Sequence, residues 1–218
     1  MRIKSFLIRP LTVAALFAVC GVSHAAITVF TTAASFAAAT SAPGVDTYAG
    51  FSVATSTPGP INRNAGAYTY DASTSVSDFF GAGTIANPSL STDDNRASIT
   101  FSNIAGDAMA IGGNFYGTDV LGNLIAGAVT IVANDSFGAQ STQTITSATV
   151  SSFLGFLSTG TISSLVVTAV QPSIVDELFP AVDNLTIAIS APVPEPETYA
   201  LMLTCLGVVG FVARRRRN

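Results

Sequence analysis

Asn184-Leu185-Thr186-Ile187-Ala188-Ile189 alternates apolar residues with small or polar ones. Successive side chains of an extended chain point to opposite faces, so this spacing places Leu185, Ile187 and Ile189 together on the face of a strand that meets a core. Ser98-Ile99-Thr100-Phe101-Ser102 repeats the pattern, with Ile99 and Phe101 inward. Six more short runs carry strand-forming residues: Ile27-Thr28-Val29-Phe30, Ala67-Tyr68-Thr69-Tyr70, Ala108-Met109-Ala110-Ile111, Ala128-Val129-Thr130-Ile131-Val132, Phe153-Leu154-Gly155-Phe156 and Leu165-Val166-Val167-Thr168. Turn-forming gaps separate them, at Thr57-Pro58-Gly59-Pro60, Asp93-Asp94-Asn95, Gly112-Gly113-Asn114 and Asn134-Asp135-Ser136. One short N-terminal helix is predicted over Ala33-Ala34-Ser35-Phe36-Ala37-Ala38-Ala39, capped by Thr31 or Thr32 and ending before Pro43-Gly44. Two turns of helix are marginal alone, so Phe36 must pin it to the core.

Many short strands and almost no helix predict an all-β fold, two antiparallel sheets packed as a β-sandwich. The domain that holds them is residues 26–192, long enough for one real interior. Its charge differs from that of the whole chain, whose formal net charge is −4. Of the cations, residues 26–192 keep only Arg63 and Arg96, against eleven acids, a net −9. A lysine-free acidic domain does not grip a nucleic-acid backbone, which is held by cationic side chains. The single histidine, His24, and both cysteines, Cys20 and Cys205, lie outside the domain. That removes disulfides, thiol or imidazole catalysis and zinc or copper sites built on those side chains from its repertoire.

The two ends have a different texture. Met1 to Ala25 reads as a secretory signal peptide: Arg2, Lys4 and Arg9 form a positive start, Leu11 to Val19 an apolar stretch, and Ser23-His24-Ala25 a small-residue cleavage site. A lipoprotein alternative would use Cys20, after the bulky Val19. The other end, residues 193–218, has three parts. Pro194-Glu195-Pro196 is a stiff acidic segment, residues 199–213 an apolar span, and Arg214, Arg215, Arg216 and Arg217 a terminal cluster that resists translocation. Fifteen helical residues reach about 22 Å, short of a ~30 Å hydrocarbon core, which suits a temporary anchor held by its arginines. An ordinary, permanent C-terminal anchor is the plainer alternative. Ala191-Pro192-Val193-Pro194 is a stiff linker between domain and span.

This order of motif, span and arginines resembles the PEP-CTERM sorting signal, with Pro194, Glu195 and Pro196 at its motif. The resemblance implies an exported bacterial protein whose precursor sits in the inner membrane, domain on the periplasmic side. It also implies processing by an exosortase near that motif, and a mature form at the cell surface or in a polysaccharide-rich biofilm matrix. The block Phe153-Leu154-Gly155-Phe156, Ile162-Ser163-Ser164-Leu165 and Val182-Asp183-Asn184-Leu185-Thr186 resembles the closing strands of jelly-roll-like domains in proteins of this kind. Val29-Phe30 with Ser35-Phe36-Ala37 resembles their opening.

Three constellations inside the domain bear on function. Asp93-Asp94-Asn95 with Asp183-Asn184 offers hard oxygen ligands of the kind calcium takes six to eight of, and a turn plus a strand cap is the plainer account. Tyr68 and Tyr70 share one face of a strand, either as a stacking platform for a sugar ring or as core packing. Asp176-Glu177 are adjacent carboxylates, facing opposite ways on a strand or solvated in a loop, whereas acid–base catalysis needs two that converge. The expectation is therefore a non-enzymatic surface or matrix protein without a cofactor. Its partners are the secretion machinery, an exosortase and polysaccharide. A carbohydrate-binding module is the alternative, and a carboxylate-dependent hydrolase ranks third.

Overall fold

A computed structural model describes residues 26–171, 177–192, 202–206 and 214–215. The expected signal peptide 1–25, Asp176, the motif Pro194, Glu195 and Pro196, and Arg216 and Arg217 lie outside them. Of the expected span 199–213 only 202–206 is described and is helical, as are Arg214 and Arg215. No helix among the described residues is long and apolar enough to cross a membrane.

In chain order the elements are β1 (Ile27–Phe30), α1 (Ala33–Ala39), β2 (Thr40–Asp46), β3 (Ser56–Thr57), β4 (Ile61–Ala65), β5 (Tyr68–Thr74), β6 (Phe79–Thr84), β7 (Asn87–Thr92), β8 (Ser98–Ser102), β9 (Ala110–Thr118), β10 (Leu124–Ile125), β11 (Gly127–Asp135), β12 (Gln140–Ala148), β13 (Phe153–Ser158), β14 (Ile162–Val170) and β15 (Phe179–Ser190). They form two antiparallel sheets. One runs β1-β13-β9-β15-β7-β6-β3, with β10 beside β9 and β2 beside β15; the other runs β12-β11-β14-β8-β5-β4. The sheets face each other across one core that includes Ile99, Phe101, Phe115, Ile131, Phe156, Leu165 and Val167, all fully buried. The predicted β-sandwich is therefore the observed architecture.

Six of the eight predicted strand runs lie wholly on strands, β1 and β8 residue for residue, while the run at 67–70 loses Ala67 to a turn and the run at 108–111 keeps only Ala110 and Ile111 in a strand. In β8 the alternation gives buried Ile99 and Phe101 between half-buried serines and threonine. The deciding run lies within β15, where Leu185 and Ile187 enter the core as predicted. Ile189 does not: it sits near the end of a twelve-residue strand and is 36% exposed. A strand this long outruns the core it covers, so parity alone does not bury its last apolar residue.

Gly112-Gly113-Asn114 is a second correction. This stretch is interior to β9, flanked by β13 and β15, and is no turn. A Cβ on Gly112 would stand 2.9 Å from the Leu154 carbonyl oxygen and 3.0 Å from the Phe153 ring, so glycine here permits close approach of neighbouring chain. The helix is as predicted. Thr32 is its N-cap, with Oγ1 accepting from the Ser35 N–H at 3.2 Å. Phe36 presses onto Gly155, where a Cβ would lie 2.3 Å from the ring, and meets Phe30 and Phe153 at 5.9 and 5.5 Å. Phe36, Ala110 and Ala188 thus form a small second core on the outer face of the larger sheet.

Candidate functional site

Tyr68 and Tyr70 do share a face, and it is the inner one. Tyr70 is fully buried, edge-on to Phe101 at 5.7 Å; Tyr68 is buried and its hydroxyl donates to the Ala42 carbonyl at 2.9 Å. The sugar platform considered for this pair is overturned, because β5 lies between β8 and β4 with this face on the core. Alternation states which residues are together, and says nothing of which side is wet.

The Tyr70 hydroxyl belongs instead to a polar cluster that joins the two sheets. It donates to Asp46 Oδ2 at 2.7 Å. Arg63, on β4, reaches the same carboxylate through Nε at 2.7 Å and Nη2 at 2.8 Å, and the Tyr48 N–H donates to Oδ1 at 2.8 Å. The guanidinium lies over the Tyr48 ring at 5.0 Å and the Phe51 ring at 5.8 Å. Burial works to raise the Asp46 pKa, but the bonds from Arg63, Tyr70 and Tyr48 outweigh it and hold the carboxyl below its ordinary value. Burial pushes both phenols up, so both stay neutral and Tyr70 remains a donor. Among the described residues the Tyr48 hydroxyl is buried without a hydrogen-bond partner, and the nearby Asp46 carboxylate adds to the upward push on it. Near this cluster on β15, burial raises the Asp183 pKa, the neighbouring charge of Asp46 adding to it.

The suggested calcium ligands are distributed rather than gathered. Asp94 is paired with the other domain arginine: Arg96 Nη2 donates to its Oδ2 at 2.8 Å and Nε to its Oδ1 at 3.1 Å. Those bonds, with one from the Arg96 N–H, hold Asp94 down to about 2. Asn95 bonds Gln171, Nδ2 donating at 3.3 Å and its carbonyl accepting from Gln171 Nε2 at 2.6 Å. Asp183 and Asn184 stand elsewhere on β15. The Asn184 N–H donates to Asp183 Oδ1 at 2.7 Å, and Asn184 takes a φ of 51° where the pairing with β9 slips. Among the described residues no three acidic, histidine or cysteine side chains are grouped so as to hold a metal ion.

Asp93, Asp94, Asn95 and Arg96 do line one open cleft of about 550 Å³, with Val120, Gln171, Glu177 and Phe179. Glu177 thus joins the Asp93–Arg96 loop, a meeting the sequence did not suggest. Asp93 faces Asp78 across Ser56, whose hydroxyl lies 3.2 Å from Oδ2 of each. Every acid of the cleft loop is thus tied to the protein's own donors, so what the cleft offers a ligand is an open acidic rim.

The outer face of the six-stranded sheet carries the most regular polar feature. Gln140, Asn134, Ser164, Ser102, Asp71 and Asn62 are successive cross-strand partners from β12 to β4. Gln140 Nε2 donates to Asn134 Oδ1 at 2.9 Å, Asn134 Nδ2 to Ser164 Oγ at 3.0 Å, and Asn62 Nδ2 to Asp71 Oδ1 at 2.8 Å. Neither this row nor the Asp46 cluster was read from sequence. The signal for the cluster was the scarcity of arginine: a domain with two has each locked on a carboxylate.

Comparison with known proteins places a PEP-CTERM protein-sorting motif at residues 192–217, a stretch that contains Pro194, Glu195, Pro196 and Arg214 to Arg217. The chain thus carries the signal of a protein exported across the inner membrane to the cell surface, with an exosortase as processing partner. No curated protein matches it. Among solved structures, a mutant of a family 29 carbohydrate-binding module from a study of ligand recognition is similar at 9% identity. That similarity has a TM-score of 0.35 and covers 76% of this chain and 92% of that one.

Proposed function

We propose that the protein is a non-catalytic structural component of an exopolysaccharide-rich surface layer or biofilm matrix, and that it acts by contact. The observation that carries this reading is the sorting motif at 192–217 following a β-sandwich whose two arginines are both engaged by carboxylates. An acidic body of this kind remains soluble by self-repulsion once released. In this reading it meets polysaccharide through hydroxyl and amide groups, chiefly the polar row from Gln140 to Asn62, and without ring stacking. Phe137, at 67%, is the single aromatic among the exposed large apolar side chains of the described residues. No cofactor takes part.

The test is to recover the protein from the matrix fraction of its host, determine both termini by mass spectrometry, and incubate it with the host's own exopolysaccharide. The reading expects ends near Ala26 and near Pro194–Pro196, co-sedimentation with the polymer, and unchanged polymer length. An intact chain retained in the inner membrane, or a shortened polymer, would overturn it.

A further inference from the structure

Among the described residues the two sheets present six strands with an unpaired side, and five of them are blunted. β1, β3 and β10 are four, two and two residues long. β2 contains Pro43, and its pairing with β15 slips where Ala42 takes a φ of 48°. β4 is five residues long, starts after Pro60 and carries Arg63, bound to Asp46. Short length, proline, bulges and charge are the devices by which sheets avoid pairing with other chains.

β12 has none of them. It is nine residues long, reads Gln140-Ser141-Thr142-Gln143-Thr144-Ile145-Thr146-Ser147-Ala148, and lacks charge, proline and glycine. Among the described residues it pairs only with β11, so the backbone groups along its other side have no strand partner; a cleft of about 430 Å³ beside Gln143 and Ile145 is closed on its far side by Thr31, Phe153 and Leu154. Its β-branched residues suit an extended pairing partner.

We infer that β12 pairs antiparallel with β12 of a second copy of this chain, joining two six-stranded sheets into one of twelve strands. Two features select a second copy as occupant. In a domain of net charge −9 this edge is uncharged, so two copies meet there with the least repulsion. The other edges of a second copy are blunted, so the edge that can answer β12 is β12 itself. Such pairing is isologous and closes at a dimer. The inference rests on the geometry of the edge and is independent of where the protein is sorted.

The test uses the full chain in detergent micelles. Sedimentation velocity is expected to give a dimer for the wild type and a monomer for Thr142→Lys/Thr144→Lys, which places four ammonium groups around the joint. Both threonines are exposed, so the far-ultraviolet circular dichroism of the folded sandwich should not change, while Tm falls only toward the value of the dilute wild type. Ser98→Lys/Thr100→Lys, on the same outer face three strands inward, should remain dimeric. A wild-type monomer, a dimer that survives the β12 lysines, or a dimer lost equally with the β8 lysines would overturn the inference. Amide hydrogen exchange on the unaltered protein gives a second reading: alternate amides of residues 141–147 should slow as concentration rises into the dimer range. Exchange there that is independent of concentration would also overturn it.

Discussion

Replacing Arg63 by methionine tests the account of the Asp46 cluster most directly. Methionine keeps much of the buried stem and removes the charge, so Asp46 is left 5% exposed with only the Tyr70 hydroxyl and the Tyr48 N–H as donors. Removing one member of a buried pair costs roughly 3–5 kcal/mol, because the other is left uncompensated. Arg63 itself is 20% exposed, which favours the low end, and the lost stacking on Tyr48 and Phe51 belongs to the same figure. The expected loss is about 3 kcal/mol, or about 6–12 °C in Tm for a domain of this size.

The assay is urea denaturation of residues 26–192 for wild type, Arg63→Met, Asp46→Asn and the double variant. The double variant should be more stable than Arg63→Met, since it buries no unpaired charge. The pH dependence follows from the direction of the shift. Asp46 has a folded pKa below its ordinary 3.8, so its contribution is complete above pH 3.8 and fades as pH falls through the folded value. The gap between wild type and Arg63→Met should therefore narrow in acid, where Asp46 is neutral in both. A loss below about 0.5 kcal/mol, as at an ordinary surface site, would refute the claim that this pair holds β2 to β4.

Asp183 has the opposite sign: burial raises its folded pKa, so its contribution is present below pH 3.8 and lost as pH rises through the folded value. Asp183→Asn keeps an acceptor for the Asn184 N–H and should stabilise the domain at pH 7, with the gain vanishing below pH 3.8 in paired melts; a loss at pH 7 would contradict this. Gly155→Ala sets a methyl 2.3 Å from the Phe36 ring and should lower stability by about 1–3 kcal/mol by pushing α1 off the sheet, measured by denaturation beside Phe36→Ala. If the two changes proved additive, the contact would not be the cause. Thermal scans with calcium and with chelator should coincide, since Asp94 is engaged by Arg96 and Asp183 stands apart from it; a calcium-dependent rise in Tm would reverse that expectation.

What could be read from the sequence divides along one physical line. A strand with one face on the core announces itself by alternation, and β8 and β15 did, because Ile99, Phe101, Leu185 and Ile187 each need a dry side. β12 gives no such signal. Threonine and serine satisfy neither side strongly, and only Ile145 leans on the core, so a nine-residue strand passes for a polar loop. β9 was split at Gly112-Gly113 for a related reason. Glycine marks a turn when it relieves strain and a close approach when it clears space, and only the neighbouring chain distinguishes the two. Alternation puts the tyrosines of β5 on a common face and leaves open whether that face stacks a sugar or packs in the core; the order of strands decides for the core.

The candidate sites follow the same division, since pairings over long separations leave no local trace. Asp46 and Arg63 are 17 residues apart, and the row from Gln140 to Asn62 draws on six strands. What the sequence did carry was a scarcity: two arginines among eleven acids. An arginine holds a carboxylate more firmly where water has little access, because there the attraction is little screened. Asp46, 5% exposed and bonded by the Tyr70 hydroxyl and the Tyr48 N–H, is such a carboxylate. With its two arginines held by Asp46 and Asp94, the domain has no free cation with which to attract another acidic copy, so self-association runs through a neutral edge. Of the edges the sandwich presents, β12 alone is long, uncharged and free of proline.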